Sequence, residues 1–212
     1  QQVAVNAWDV RDIEYAIGLD GTVNDPSDTD TAWYVEMMLP WKVLAECAHK
    51  TVPPPEGDYW RINFSRVHWE TDIVDGNYVK RKGVPEYNWV WSPQGLIAMH
   101  YPERWGLVFF SHTAPGTSNV SYSIPVVEYA KEYLRQLYYL QKQFFQDNGT
   151  YAVSLRQLKA DNYFYESKKV PLKIETTSKS YIITLTGTSD FPTLYIREDG
   201  MSWSDNGKDG GK

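Results

Sequence analysis

The segment 88–106, NWVWSPQGLIAMHYPERWG, constrains the fold more than any other, because three of the nine tryptophans fall in it beside Pro93, His100 and Pro102. Trp89 and Trp91 flank Val90, so an extended backbone sends both indoles to the same side of a strand. Side chains of that size leave two outcomes. The strand either closes a β core or offers a flat platform on which a sugar ring can lie, with the indole N–H able to reach a hydroxyl.

The 212 residues give room for one large domain or two small ones. The net charge of −6 is not interrupted by a basic stripe, and the run Lys80-Arg81-Lys82 is too short to argue for nucleic acid. No stretch of eighteen apolar residues occurs, so the sequence predicts no membrane span. Aromatics make up 15 % of the chain, a surplus that fits a secreted protein handling carbohydrate and equally fits a large β core. The single cysteine, Cys47, excludes an internal disulfide, and its surroundings, VLAECAHK, read as a short helix that turns the thiol inward.

Taken in order, residues 12–19 alternate polar and apolar side chains and then run apolar, as a strand entering a core does. Residues 32–39 form a second strand, with Trp33, Val35, Met37 and Leu39 on one face and Pro40 closing it. A short helix is predicted over 41–49, then a rigid connection, VPPPEGD. The longest strand is predicted over 59–70, YWRINFSRVHWE, sending Trp60, Ile62 and Phe64 one way and Arg61, Asn63, Ser65, Val67 and Trp69 the other. Polar and aromatic side chains mixed in this way suit a sugar site and also suit any solvated sheet face. A hairpin around Asp75-Gly76 and a closing strand, GLVFFS, follow.

Between the first two strands the loop DGTVNDPSDTD carries Asp20, Asn24, Asp25, Asp28 and Asp30. Clustered oxygen ligands of this kind can hold Ca²⁺, though the spacing is not that of an EF-hand; the alternative is a solvated loop of Asx turns.

The phrases DGTVNDPSDTD, WYVEMMLPWKVL, WRINFSRVHW, NWVWSPQG and MHYPERWG, in this order and spacing, resemble the C-terminal part of the carbohydrate-binding module family 9 fold, in its large subgroup of secreted bacterial proteins. The resemblance covers about the first 111 residues. It implies an antiparallel β-sandwich that binds oligo- or polysaccharide, usually with structural Ca²⁺, in a protein exported to the periplasm or cell surface. It also implies that the N-terminal part of the fold precedes Gln1, absent or present as a separate chain. Two departures stand out. The family's tryptophan clamp does not carry over, since Ala98-Met99-His100 stand where one tryptophan belongs and the other lies upstream of Gln1. The sugar-contacting positions of the long strand fall near Ser65 and His68, whose chemistry differs.

Residues 112–123 form a Pro-, Gly- and Ser-rich linker to a smaller α+β module over 124–206, with a tail at 207–212 expected to be mobile. Apolar side chains recur every three or four residues from Val126 to Phe145, predicting a helix with Pro125 in its first turn, Ser123 as its cap and Asn148-Gly149 as its stop. A helical turn over SLRQL and three antiparallel strands, VPLKIETTSK, SYIITLTG and PTLYIREDGMSWS, complete the module. The order of helix, NGxY loop, short helix and hairpins resembles the soluble head of type IV pilin-like proteins.

The fold class expected is therefore mainly β, an antiparallel sandwich with a smaller α+β module. No catalytic signature is present: the four histidines lack zinc-site spacing, and there is no GxSxG, phosphate loop or CxxC. Glu36, Glu70, Asp72 and Glu86 are candidates for a glycosidase pair only because acids are common, and surface charges explain them as well. The function expected is non-catalytic carbohydrate binding in support of polysaccharide use, through Asn63, Ser65, Arg66, His68, Trp69, Asn88, Trp89, Trp91 and Gln94. The alternatives are a glycoside hydrolase, or a fragment of one, and an assembly protein built on a ligand-less sandwich.

Overall fold

The computed structural model describes residues 8–95, 99–117, 119–160, 163–165, 168–169 and 171–205. The tail at 207–212, Ala98 and the start of the chain lie outside them. Two compact units emerge, one over Ala7–Val120 and one that includes Ser121–Lys212. Strands dominate, and every strand pairing is antiparallel, as the alternating sequence predicts.

In the first unit, β1 (Glu14–Asp20) pairs along its whole length with β2 (Ala32–Met38), Ile17 opposite Val35. Pro40, extended at φ −65°, starts the single helical turn α1 (Trp41–Leu44), which is shorter than the predicted 41–49. Beyond Leu44 the backbone continues only as turns, and Cys47 is exposed there instead of tucked inward, because too little helix remains to bury that side.

The predicted long strand is two strands, β3 (Tyr59–Ile62) and β4 (Ser65–His68), broken at Asn63 and Phe64. Then come β5 (Thr71–Val74), β6 (Asn77–Lys80), β7 (Tyr87–Val90) and, after a 3₁₀ turn at Pro102–Arg104, β8 (Gly106–Phe109). Their pairing is nested: β5 with β6, β4 with β7 and β3 with β8. The β5–β6 turn, Asp75-Gly76, has φ of +50° and +75°, the left-handed pair that a tight hairpin requires. The break has a sequence cause. Two residues separate β3 from β4, whereas fifteen separate β7 from β8, so one continuous ladder cannot keep both pairings.

Packing in this unit centres on Val43, 2 % exposed, and on the Trp41, Trp60 and Phe110 rings, which meet edge to face at 5.3–6.0 Å. By contrast, β1 and β2 expose apolar side chains on both faces, with Tyr15 and Ile17 on one strand and Trp33 and Tyr34 on the other.

The second unit has a fuller core. Helix α2 (Val126–Asn148) ends on Gly149 at φ +70°, whose N–H reaches the Phe145 carbonyl at 2.8 Å. Its start differs from the prediction: Pro125 itself holds the N-cap position and no side chain caps the helix, so Ser123 does not serve. The Glu128 N–H turns back to the Pro125 carbonyl at 2.9 Å, and proline, at φ −58°, presets the entering backbone without a side-chain cap. After the short pair β9 (Tyr163–Tyr165) and β10 (Lys168–Lys169) comes a four-stranded meander: β11 (Leu172–Thr176), β12 (Tyr181–Leu185), β13 (Leu194–Arg197) and β14 (Ser202–Ser204). The last predicted strand is thus a hairpin, turned at Asp199-Gly200, and SLRQL forms turns without becoming a helix.

Ala130, Tyr133, Leu134 and Leu137 of α2 pack on Tyr181, Ile183, Leu185, Leu194 and Ile196 of the sheet. The period-3.6 stripe meets a period-2 face, and each large side chain so buried contributes roughly 1.5–3 kcal/mol. The polar member of the stripe, Gln141, is fully buried and spends both ends of its amide on Ala152, donating to its carbonyl at 2.8 Å and accepting from its N–H at 2.9 Å. Among the described residues no helix is long and apolar enough to cross a membrane.

Candidate aromatic and cationic platform

The pairing of β4 with β7 sets Arg66 opposite Trp89 and His68 opposite Tyr87. Since strand side chains alternate, these four share one face, whereas Ser65, Val67, Asn88 and Val90 take the other. On the shared face the Arg66 guanidinium carbon sits over the Trp89 ring at 4.6 Å and over Trp33 of β2 at 5.6 Å. His68 stacks on Trp89, centroids 5.2 Å apart with a 22° tilt, and lies 6.2 Å from Tyr87. Trp33 and Trp89 are each 52 % exposed, so the row of rings is open to solvent.

Arg66 Nη2 lies 2.9 Å from His68 Nδ1. A guanidinium can only donate, so Nδ1 is the acceptor and the imidazole carries its proton on Nε2. Past His68 the polar network closes on itself. Tyr87 donates its hydroxyl to Glu70 Oε1 at 2.7 Å, and this bond to the carboxylate holds the phenol above its ordinary pKa. Arg81 binds both Asp72, at 2.9 Å, and Glu70; those two carboxylates, Asp72 first, push its pKa upward. One guanidinium therefore ties two of the four acids, Glu70 and Asp72, that the sequence offered as glycosidase candidates.

Of the nine predicted ligand residues, the fold brings Arg66, His68 and Trp89 together. Ser65 and Asn88 face the other way. Asn63 Oδ1 accepts from Gln94 Nε2 at 3.4 Å; Gln94 is buried at 5 % exposure and Asn63 half-buried, so the two amides engage each other. Trp91 lies past the end of β7, its indole N–H donating to the Ile62 carbonyl at 3.0 Å and its ring set edge-on to Phe64. Trp69 stands apart, beneath the Lys80 ammonium, in an open trough of about 480 Å³ lined by residues 80–86.

Three members of the platform were missed. Tyr87 and Glu70 continue the period-2 faces of Trp89 and His68, so that signal was present. Trp33 belongs to another hairpin, and nothing local in the sequence announces its approach to Arg66.

In the acidic loop, the Thr22 N–H donates to Asp30 Oδ1 at 2.7 Å, its hydroxyl donates to Asp28 Oδ1 at 2.9 Å, and Ser27 N–H donates to Asp25 Oδ1 at 2.9 Å. Hydrogen bonding from Ser27, through its hydroxyl first and its backbone N–H second, holds the Asp25 carboxyl below its ordinary pKa. Asn24 adopts φ +57°. These are the bonds of an Asx-turned loop, and among the described residues no three His, Cys, Asp or Glu side chains gather to hold a metal ion.

The site is thus an exposed row of aromatic rings with cationic and N–H donor groups, on a mainly β unit. No family model matches the chain, and neither a curated protein nor a solved structure matches it.

Proposed function

We propose that the chain binds carbohydrate without transforming it, as an exported protein of the periplasm or cell surface whose first unit belongs to a family 9-like β-sandwich. The observation that carries this reading is the half-exposed Trp89 ring with Arg66 and His68 seated against it and Trp33 alongside. Aromatic faces suit the C–H side of a pyranose, and the neighbouring N–H groups suit its oxygens. The reading needs no metal ion.

Titrating the chain with a panel of oligosaccharides, while following tryptophan fluorescence and heat, tests it. Binding is expected, with protection of the indoles from iodide. Trp89→Ala is expected to weaken it at least tenfold, about 1.4 kcal/mol. Silence across the panel, or an unchanged affinity in that variant, removes the reading. Release of reducing ends, abolished by Glu70→Gln, would establish the hydrolase instead.

The assembly reading has its own observation, the apolar side chains that β1 and β2 expose on both faces. Surfaces of that kind mark contacts with other protein. Light scattering that gives a monomer throughout the micromolar range would discard it.

A further inference from the structure

The platform's polar groups are of one kind, and this narrows the ligand class within the carbohydrate reading, on which the inference rests. The amides that suit neutral hydroxyls are turned away: Asn63 and Gln94 bond to each other, and Asn88 points to the opposite face with Ser65. The acceptor nearest in sequence, Glu70, is taken up by Tyr87 and Arg81. What remains facing the rings is a set of donors. Arg66 has His68 Nδ1 as its hydrogen-bond partner, and among the described residues no carboxylate pairs with it. Arg11, Arg81 and Arg197, by contrast, each bind an acid. His68, accepting at Nδ1, offers a second donor at Nε2.

An unpaired guanidinium is conspicuous in a chain of net charge −6. The Arg66 guanidinium is held over Trp33 and Trp89, so much of the side-chain entropy of ordering it is already lost before a ligand arrives. A planar fork of N–H donors, fixed against rings and lacking an internal acid, matches a carboxylate bidentately.

We propose that the platform takes an acidic saccharide, a sugar chain bearing uronate carboxylates, with Arg66 receiving the carboxylate and the indoles of Trp33 and Trp89 carrying the sugar rings. The neutral Nε2–H of His68 donates to a further oxygen of the same residue. No bond is made or broken.

The test is calorimetric titration with galacturonate, mannuronate and glucuronoxylan oligosaccharides, each beside its carboxyl-reduced counterpart. The acid form of at least one is expected to bind tenfold or more tightly than its reduced form, and to weaken as NaCl is raised from 20 to 300 mM while the reduced form does not. Arg66→Met keeps an unbranched side chain and removes the charge, and should bring the two forms within threefold. Arg66→Lys keeps the charge without the fork, should retain part of the preference, and serves if the methionine variant does not fold. Equal affinity for acid and reduced forms overturns the acidic preference and leaves carbohydrate binding standing. Absence of binding to every saccharide, neutral ones included, brings down both. A preference that survives in Arg66→Met places the carboxylate elsewhere and overturns the assignment.

Discussion

Gln141 is a polar side chain with no exposed surface in the core of the second unit, and removing it has a calculable cost. Its amide closes two hydrogen bonds with Ala152, which is itself fully buried. In Gln141→Leu both backbone groups of Ala152 lose their partner with no water to replace it. Each orphaned group costs about 1–3 kcal/mol, and burying leucine returns about 1.5–3 kcal/mol, leaving a net loss of about 2 kcal/mol. Amide hydrogen exchange at Ile183, in the centre of β12, reports the opening of this unit alone, and the loss corresponds to about thirtyfold faster exchange. Gln143, exposed on the same helix, is the control, and Gln143→Ala should stay within about 0.5 kcal/mol of the parent.

Gln141→Glu sharpens the test. A protonated carboxyl can reproduce both bonds, and burial raises its pKa in the folded state above the unfolded value. Its stabilising contribution is therefore complete below about pH 4 and is lost as pH rises through the folded pKa. Gln141→Leu within error of the parent, or Gln141→Glu equally unstable at pH 4 and pH 7, would refute the clamp.

Three further outcomes follow from particular residues. Gly149→Ala forces a Cβ into φ +70° with nothing within 4 Å to clash, so the cost is conformational alone, about 1 kcal/mol by urea unfolding, and smaller for Gly149→Asn. Asp199 accepts a bidentate bond from Arg197 and one from the Met201 N–H, which together hold its carboxyl well below the ordinary 3.8. Its contribution is thus present above pH 4 and lost as pH falls, and Asp199→Asn should flatten the acid limb of a stability-against-pH curve. Exposed Cys47 should react with one equivalent of a thiol reagent without denaturant, and protection in the native state would show the thiol to be covered.

Local chemistry made much of this legible. Asp75-Gly76 announced its hairpin, Asn148-Gly149 its helix stop, and the stripe from Ala130 to Gln141 its buried face, because turn geometry and side-chain periodicity act over a few residues. Part of the candidate site was legible for the same reason, since alternation alone unites Arg66 with His68 and Trp89 with Tyr87.

What the amino-acid order determined by itself was the kind of backbone at most positions, a mainly β chain of antiparallel pairs with one long amphipathic helix. Register was decided by the fold. Whether Asn63 met Gln94 or solvent, whether Cys47 was covered, and whether the strand beginning at Tyr59 ran unbroken all depended on which strand lay opposite and with how many residues between. The platform is the clearest case: Trp33 and Arg66 lie thirty-three residues apart in sequence, and only folding places a ring of β2 beneath a guanidinium of β4. A contact between distant segments is set by the sum of many weak packing terms, and no short window of sequence contains that sum.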